Sequence, residues 1–160
     1  MGVIENRLQD RGLILPAPLV LPPEMVLPFP EVNLRGKRAI ISGAAALQPD
    51  GTLAGPFGKV GANVSVEDAQ HLAMLTGLTI LAGLKCELGE LDRITGWVRV
   101  FGMVNSAPDF TQQPMVINGF SHLILDLFGP DVGRHARSAV GMAALPMNIA
   151  VEIEGEVVFD

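Results

Sequence analysis

The chain has no tyrosine and a single cysteine, Cys86, among its 160 residues. The first absence removes phenol chemistry. The second removes any intramolecular disulfide and any cysteine-based metal cluster. Positive charge is scarce: 11 Lys and Arg stand against 17 Asp and Glu, a formal net charge of -6. Such a field repels phosphates, and the basic residues are scattered without aromatic interleaving, so no nucleic-acid groove is expected. No apolar run reaches membrane-spanning length. Charges break up the first fifteen positions in a way that fits no signal peptide. The expectation is a cytoplasmic protein without a membrane partner.

What is present is apolar surface, with 49% of residues hydrophobic. A chain of this length suits one domain and can bury roughly 70% of its extended surface without staples. The apolar excess fits a well-filled core or an interface between subunits equally well. Six of the twelve prolines fall in residues 16–30, PAPLVLPPEMVLPFP. Proline fixes the backbone dihedral and removes a donor, so this is an extended segment laid over the body or a neighbour. Residues 1–15 read as a short helix or a loose arm. The chain thus divides into an N-terminal arm, 1–30, and a folded body, 31–160.

Within the body, EVNL and RAIISG flank Gly36 as a hairpin. Residues 45–63 form a loop with a Pro49-Asp50-Gly51 turn. Its glycines lack both the Walker and the Rossmann spacing. Ser65 caps a helix from about Val66 to Leu88, with an apolar face through Leu72, Ala73, Ile80, Leu81 and Leu84, and Gly89 ends it. Gly77 and Gly83 mark close packing. ITGWVRVFGMV is a strand. A second helix runs from about Thr111 to Phe128, stopped by Gly129 and Pro130. RSAVGMAAL and AVEIEGEVVF are the last two strands. The order β-α-β-α-β-β after a hairpin implies an α+β fold, with a mixed sheet and two helices on one face. Its free sheet face needs a cover, for which a second copy of the chain is the expectation.

Arg137 is the leading candidate for chemistry, because guanidinium grips a carboxylate with two parallel hydrogen bonds. The plain alternative is a solvated arginine at a strand end. Glu152, Glu154 and Glu156 share one strand face. A wet sheet face accounts for two of them, but a carboxylate beside an apolar cleft has its pKa raised and acts on water. In a simple hairpin around Met147, Arg137 and Glu152 would lie roughly 20 Å apart at ~3.3 Å per residue. Strand order or a subunit boundary must therefore bring them together. Ser42 and Gly43 end a strand where an amide could receive an oxyanion. Asn118 sits in the second helix. His71, His122 and His135 lack metal-ligand spacing, and Cys86 reads as a packed small residue.

The stretches IISG, SVEDAQHLAMLTGLTILAGLKCELGELDRITGWVRVFGMVNSAPDF, VINGF and HARSAVGMAALPMNIAVEIEGEV resemble the RidA family (YjgF/YER057c/UK114, also called endoribonuclease L-PSP), as a divergent subgroup. The resemblance implies a chorismate-mutase-like fold and a homotrimer with ligand clefts between subunits. It also implies hydrolysis of 2-imino or enamine acids to 2-oxo acids and ammonia, with no metal or organic cofactor. It places the carboxylate-binding arginine on Arg137, the water-positioning glutamate on Glu152, and further ligand contacts on Ser42, Gly43 and Asn118. The family's pocket tyrosine falls near Phe29 and its usual glutamine on Ala44. Both departures make the cleft more apolar, and a non-catalytic ligand-binding or regulatory trimer is the alternative they open. The older ribonuclease label fits the charge poorly.

Overall fold

The computed structural model describes residues 2–160. The hairpin forms as expected: β1 (Val32–Arg35) pairs antiparallel with β2 (Arg38–Ala45). Gly36 opens the two-residue turn at φ 59°, a conformation that favours glycine. The second strand of this hairpin is also the first strand of the α+β body.

Helix α2 (Val66–Leu88) starts where its cap predicts, with the Asp68 N–H donating to Ser65 Oγ at 3.0 Å, and it closes on Gly89 at φ 84°. It is long and apolar enough to cross a bilayer, which corrects the expectation that no such stretch exists, but over half of the apolar stretch is buried in the core. Strand β3 (Ile94–Asn105) follows, then α3 (Gln113–Val132). The Gly129-Pro130 pair does not stop α3, as expected, but kinks it at Gly129, φ 75°. Proline suits the first position of a new turn, so one more turn forms beyond the kink. Strands β4 (Ala136–Met142) and β5 (Val151–Phe159) complete the chain.

The sheet order is β1-β2-β5-β3-β4. β5 inserts antiparallel between β2 and β3, and β4 lies parallel to β3 at the edge. The last two strands are therefore not neighbours. Helices α2 and α3 cover one face, burying Val100, Val104, Ile153 and Val157 against Leu81, Leu84, Phe120 and Ile124. The two helices cross closely. A Cβ at Gly119 would fall 2.0 Å from the Gln70 carbonyl oxygen, and one at Gly77 would fall 2.8 Å from a Leu123 methyl. Gly83 is looser, with nothing nearer than 3.4 Å. The other sheet face carries Ile40, Arg99, Phe101, Glu154 and Glu156. It is open over these residues, and Arg38 pairs there with Glu156.

The N-terminal residues are docked rather than loose. Helix α1 (Val3–Asp10) buries Ile4 and Leu8, and the Asp92 carboxylate accepts from the Val3 and Ile4 N–H groups at its start. Residues 13–30 carry no helix or strand, and part of this segment lies along the long loop. Ala17 N–H donates to Pro49 O and Val20 N–H to Gly51 O, both at 3.0 Å. Lys59 clips the loop to the strand ends, donating to Asn105 Oδ1 at 2.8 Å and Ala143 O at 2.7 Å. Cys86 is exposed near the end of α2, not packed as expected.

Candidate functional site

One group of candidate residues surrounds a cavity of about 270 Å³. β2 loses its register with β5 between Ile41 and Ala44, and this irregularity places Ser42 and Gly43 on the cavity wall. Ser42 fastens the arm at this point. Its N–H donates to Glu31 O at 2.9 Å and its hydroxyl to Pro30 O at 2.8 Å. Phe29, the residue before that tie, lines the cavity together with Ala44. Glu152 reaches in from β5 across the bare Cα of Gly43, where a Cβ would fall 2.1 Å from Oε1. Glycine at this position is thus the space in which the carboxyl sits. Burial raises the Glu152 pKa above the ordinary carboxylate value, and the neighbouring charge of Glu154 adds to the shift.

The second group centres on Arg137 in β4, on the helix-covered side of the sheet. Its Nη1 donates to Asn118 Oδ1 at 2.9 Å and to Ser121 Oγ at 3.1 Å, and Nη2 approaches Pro114 O at 3.4 Å. All three acceptors come from α3. Among the described residues no carboxylate lies within 4 Å of this guanidinium. Burial lowers its pKa from the ordinary guanidinium value, and the cation is held without an anion. Asn118 is neither simply exposed nor bonded to backbone; it orients the arginine.

Ser121 and His135 complete this second group, and the hydrogen-bond roles follow from one carbonyl. His135 Nδ1 lies 2.8 Å from Gly133 O, which can only accept, so Nδ1 carries the proton. Nε2 of the neutral ring then accepts from the Ser121 hydroxyl at 2.9 Å, leaving a serine lone pair for Arg137. Burial lowers the His135 pKa, and the Arg137 charge works in the same direction against the bond to Gly133. Ser121 lies three residues beyond Asn118, on the same helix face; projecting that face from Asn118 would have found it. His71 and His122 are exposed. Among the described residues no three His, Cys, Asp or Glu side chains are placed to hold a metal ion.

The two groups do not meet within one chain. Arg137 pairs with Val100, which faces the helices, whereas Glu152 pairs with Met103, which faces away from them. One strand and three residues separate the pair, about 14 Å from Cα to Cα at ~4.8 Å per strand and ~3.3 Å per residue. The side chains point to opposite faces. The structure therefore joins Phe29, Ser42, Gly43, Ala44 and Glu152 in one place, and Asn118 and Arg137 in another.

Comparison with known proteins places this architecture. The family described as "YjgF/chorismate mutase-like, putative endoribonuclease" matches residues 29–154. Protein TCP17 of Trypanosoma cruzi is 45% identical over 97 residues, and the match covers 61% of this chain and 61% of that protein's length. The crystal structure of Atu1372 from Agrobacterium tumefaciens, a protein of unknown function, is 39% identical with a TM-score of 0.87, covering 99% of this chain and 92% of that one. A Shewanella oneidensis MR-1 protein with the same endoribonuclease description is 26% identical with a TM-score of 0.89, covering 99% of this chain and 100% of that one.

Proposed function

Since the chain belongs to the YjgF/chorismate mutase-like family, we propose that it binds a carboxylate-bearing imine between neighbouring copies of a homotrimer and hydrolyses it. The carrying observation is the division of the site into two halves on opposite sheet faces: a cation without an anion, and a half-buried carboxyl beside an apolar cavity. The open sheet face with Ile40 and Phe101 supports assembly, since exposed apolar surface gains by burial against another copy.

In this reading Arg137 holds the substrate carboxylate through two parallel N–H···O bonds, already oriented by Asn118 and Ser121. Glu152 of the neighbouring copy takes a proton from water as the water oxygen bonds to the carbon of the protonated imine, C=NH2+. The C=N electron pair moves to nitrogen and a tetrahedral carbinolamine forms. Glu152 returns the proton to the amine, the C–N bond breaks, and ammonia carries off the hydroxyl proton as ammonium while the 2-oxo acid forms. The raised pKa suits this duty, because a more basic carboxylate accepts the water proton more readily.

Subunit complementation tests the reading. Arg137→Ala and Glu152→Gln are each expected to lose acceleration of the breakdown of 2-iminopropanoate generated in solution. Unfolded together and refolded at equal ratio, they recover about a quarter of wild-type activity, since each cleft draws its two halves independently from adjacent copies of a cyclic assembly. An assembled mixture with no recovery, or an Arg137→Ala protein as active as wild type, overturns it. Phe29 and Ala44 favour a second reading, binding without turnover. Calorimetric binding of 2-oxo acids by a protein that leaves imine decay unchanged would establish that one instead.

A further inference from the structure

The cavity beside Glu152 is larger and more apolar than a two- or three-carbon imino acid requires. Besides Phe29, four of its lining residues, Leu19, Leu21, Met25 and Leu27, come from the proline-rich arm. All four precede the region matched by the family, which begins at residue 29. The arm is tied at one end through Ala17 and Val20 to the long loop and at the other through Pro30 and Glu31 to Ser42. Thr79 and Ile80 of α2, with Leu47 and Met147, also line the cavity. Prolines interrupt the arm throughout, so it loses little entropy in holding this shape.

The polar side chains on the lining are few, and the two hydroxyls are already engaged. The Thr79 hydroxyl donates to Leu75 O at 3.2 Å, and that of Ser42 to Pro30 O. Glu31 is exposed, leaving Glu152 as the half-buried carboxyl in the cavity. An apolar cavity of roughly 150 Å³ accepts benzene. About 270 Å³ therefore has room for a ring or a branched alkyl group together with a reacting head.

We infer that the arm builds a side-chain subsite, and that it selects carboxylate ligands bearing a bulky apolar group, branched aliphatic or aromatic. This rests on the reading of the Glu152 cavity as one half of the ligand site. Each buried methylene is worth about fourfold in affinity. The three extra carbons of a leucine-derived ligand over an alanine-derived one thus give more than tenfold after allowance for imperfect burial.

The test measures binding of pyruvate, 4-methyl-2-oxopentanoate and phenylpyruvate to the full chain by calorimetry, with carboxylate-free 3-methylbutanol as a fourth probe followed by NMR. The larger acids are expected to bind at least tenfold tighter than pyruvate. Two substitutions should bring that ratio toward one: Thr79→Phe, which fills the cavity, and Leu27→Ser, which alters the arm outside the main core. Equal or tighter binding of pyruvate, or a ratio unmoved by both variants in folded protein, overturns the subsite. Arg137→Ala separates this inference from the function it rests on. Carboxylate affinity that does not fall in that variant removes the proposed function. The subsite still stands if the ratio survives and 3-methylbutanol binds, and failure of all four probes to bind removes it.

Discussion

Gly43→Ala places one methyl group where the Glu152 carboxyl now lies. The added Cβ would be 2.1 Å from Oε1 and 3.1 Å from the carboxyl carbon. Ordinary contact begins near 3.4 Å, so the carboxyl has to retreat by about 1 Å, enough to cost on the order of a hundredfold where a catalytic group is misplaced. The fold should absorb the change. Gly43 does not have a positive φ, so alanine meets no backbone strain, and the displaced atom is the end of a flexible side chain. An off-rotamer glutamate costs about 1 kcal/mol, which the loss of glycine flexibility in the unfolded chain offsets by about 0.5–1 kcal/mol. The expected result is a melting temperature within ~3 °C of wild type and an imine-hydrolysis kcat/KM lower by about a hundredfold. The acidic limb of the pH profile should also move down, as the carboxyl leaves its desolvated position and loses the cause of its raised pKa. A Gly43→Ala protein that is folded, assembled and within about twofold of wild-type activity, against the hundredfold loss expected, would refute the assignment of Glu152. Activity lost only together with the fold would refute the argument for a local effect.

Glu152→Gln should stabilise the chain at neutral pH. A carboxyl whose pKa is raised by folding stabilises fully below its unfolded value and loses that contribution as pH rises through its folded value. The variant's advantage in thermal unfolding should therefore appear above the ordinary carboxylate range and vanish near pH ~3. Asn118→Ala removes a charge-assisted bond that orients Arg137, worth about 1.5–3 kcal/mol; carboxylate binding should weaken by tenfold or more in calorimetry, with little change in the pH profile set by Glu152. Gly119→Ala drives a Cβ to 2.0 Å from the Gln70 backbone oxygen, where neither helix can yield cheaply. It should cost about 3 kcal/mol or more, seen as a melting temperature lower by roughly 6–12 °C.

Local chemistry makes much of the fold legible in the sequence. Ser65 and Gly89 mark the ends of α2 because caps act within one turn of the chain. Gly36 marks the hairpin for the same reason. The end of α3 is ambiguous because Gly129 and Pro130 form both a stop and a start, and tertiary packing decides whether another turn follows. Strand order is not legible. The placement of β5 between β2 and β3 is a pairing of distant segments, and periodicity within a strand carries no information about its neighbour. Asn118, Ser121 and Arg137 converge only after α3 crosses back over β4. The arm's part in the cavity is hidden for a related reason: proline content implies an extended segment but does not say what it lies against.

Register parity, more than distance, decides what one copy can do. Val100 and Met103 are three residues apart on β3, an odd interval, so their side chains leave opposite faces of the strand. Arg137 and Glu152, their partners on either side, inherit that opposition. No rotamer change removes it, and a one-residue slip of either strand would turn its buried residues to the solvent face. Val100, Ile153 and Val157 hold the register through complete burial. The packing that stabilises the fold therefore also prevents a single chain from closing the arginine and the glutamate on one substrate. Any chemistry that requires both must come from two copies, which makes assembly a condition of activity in the proposed function.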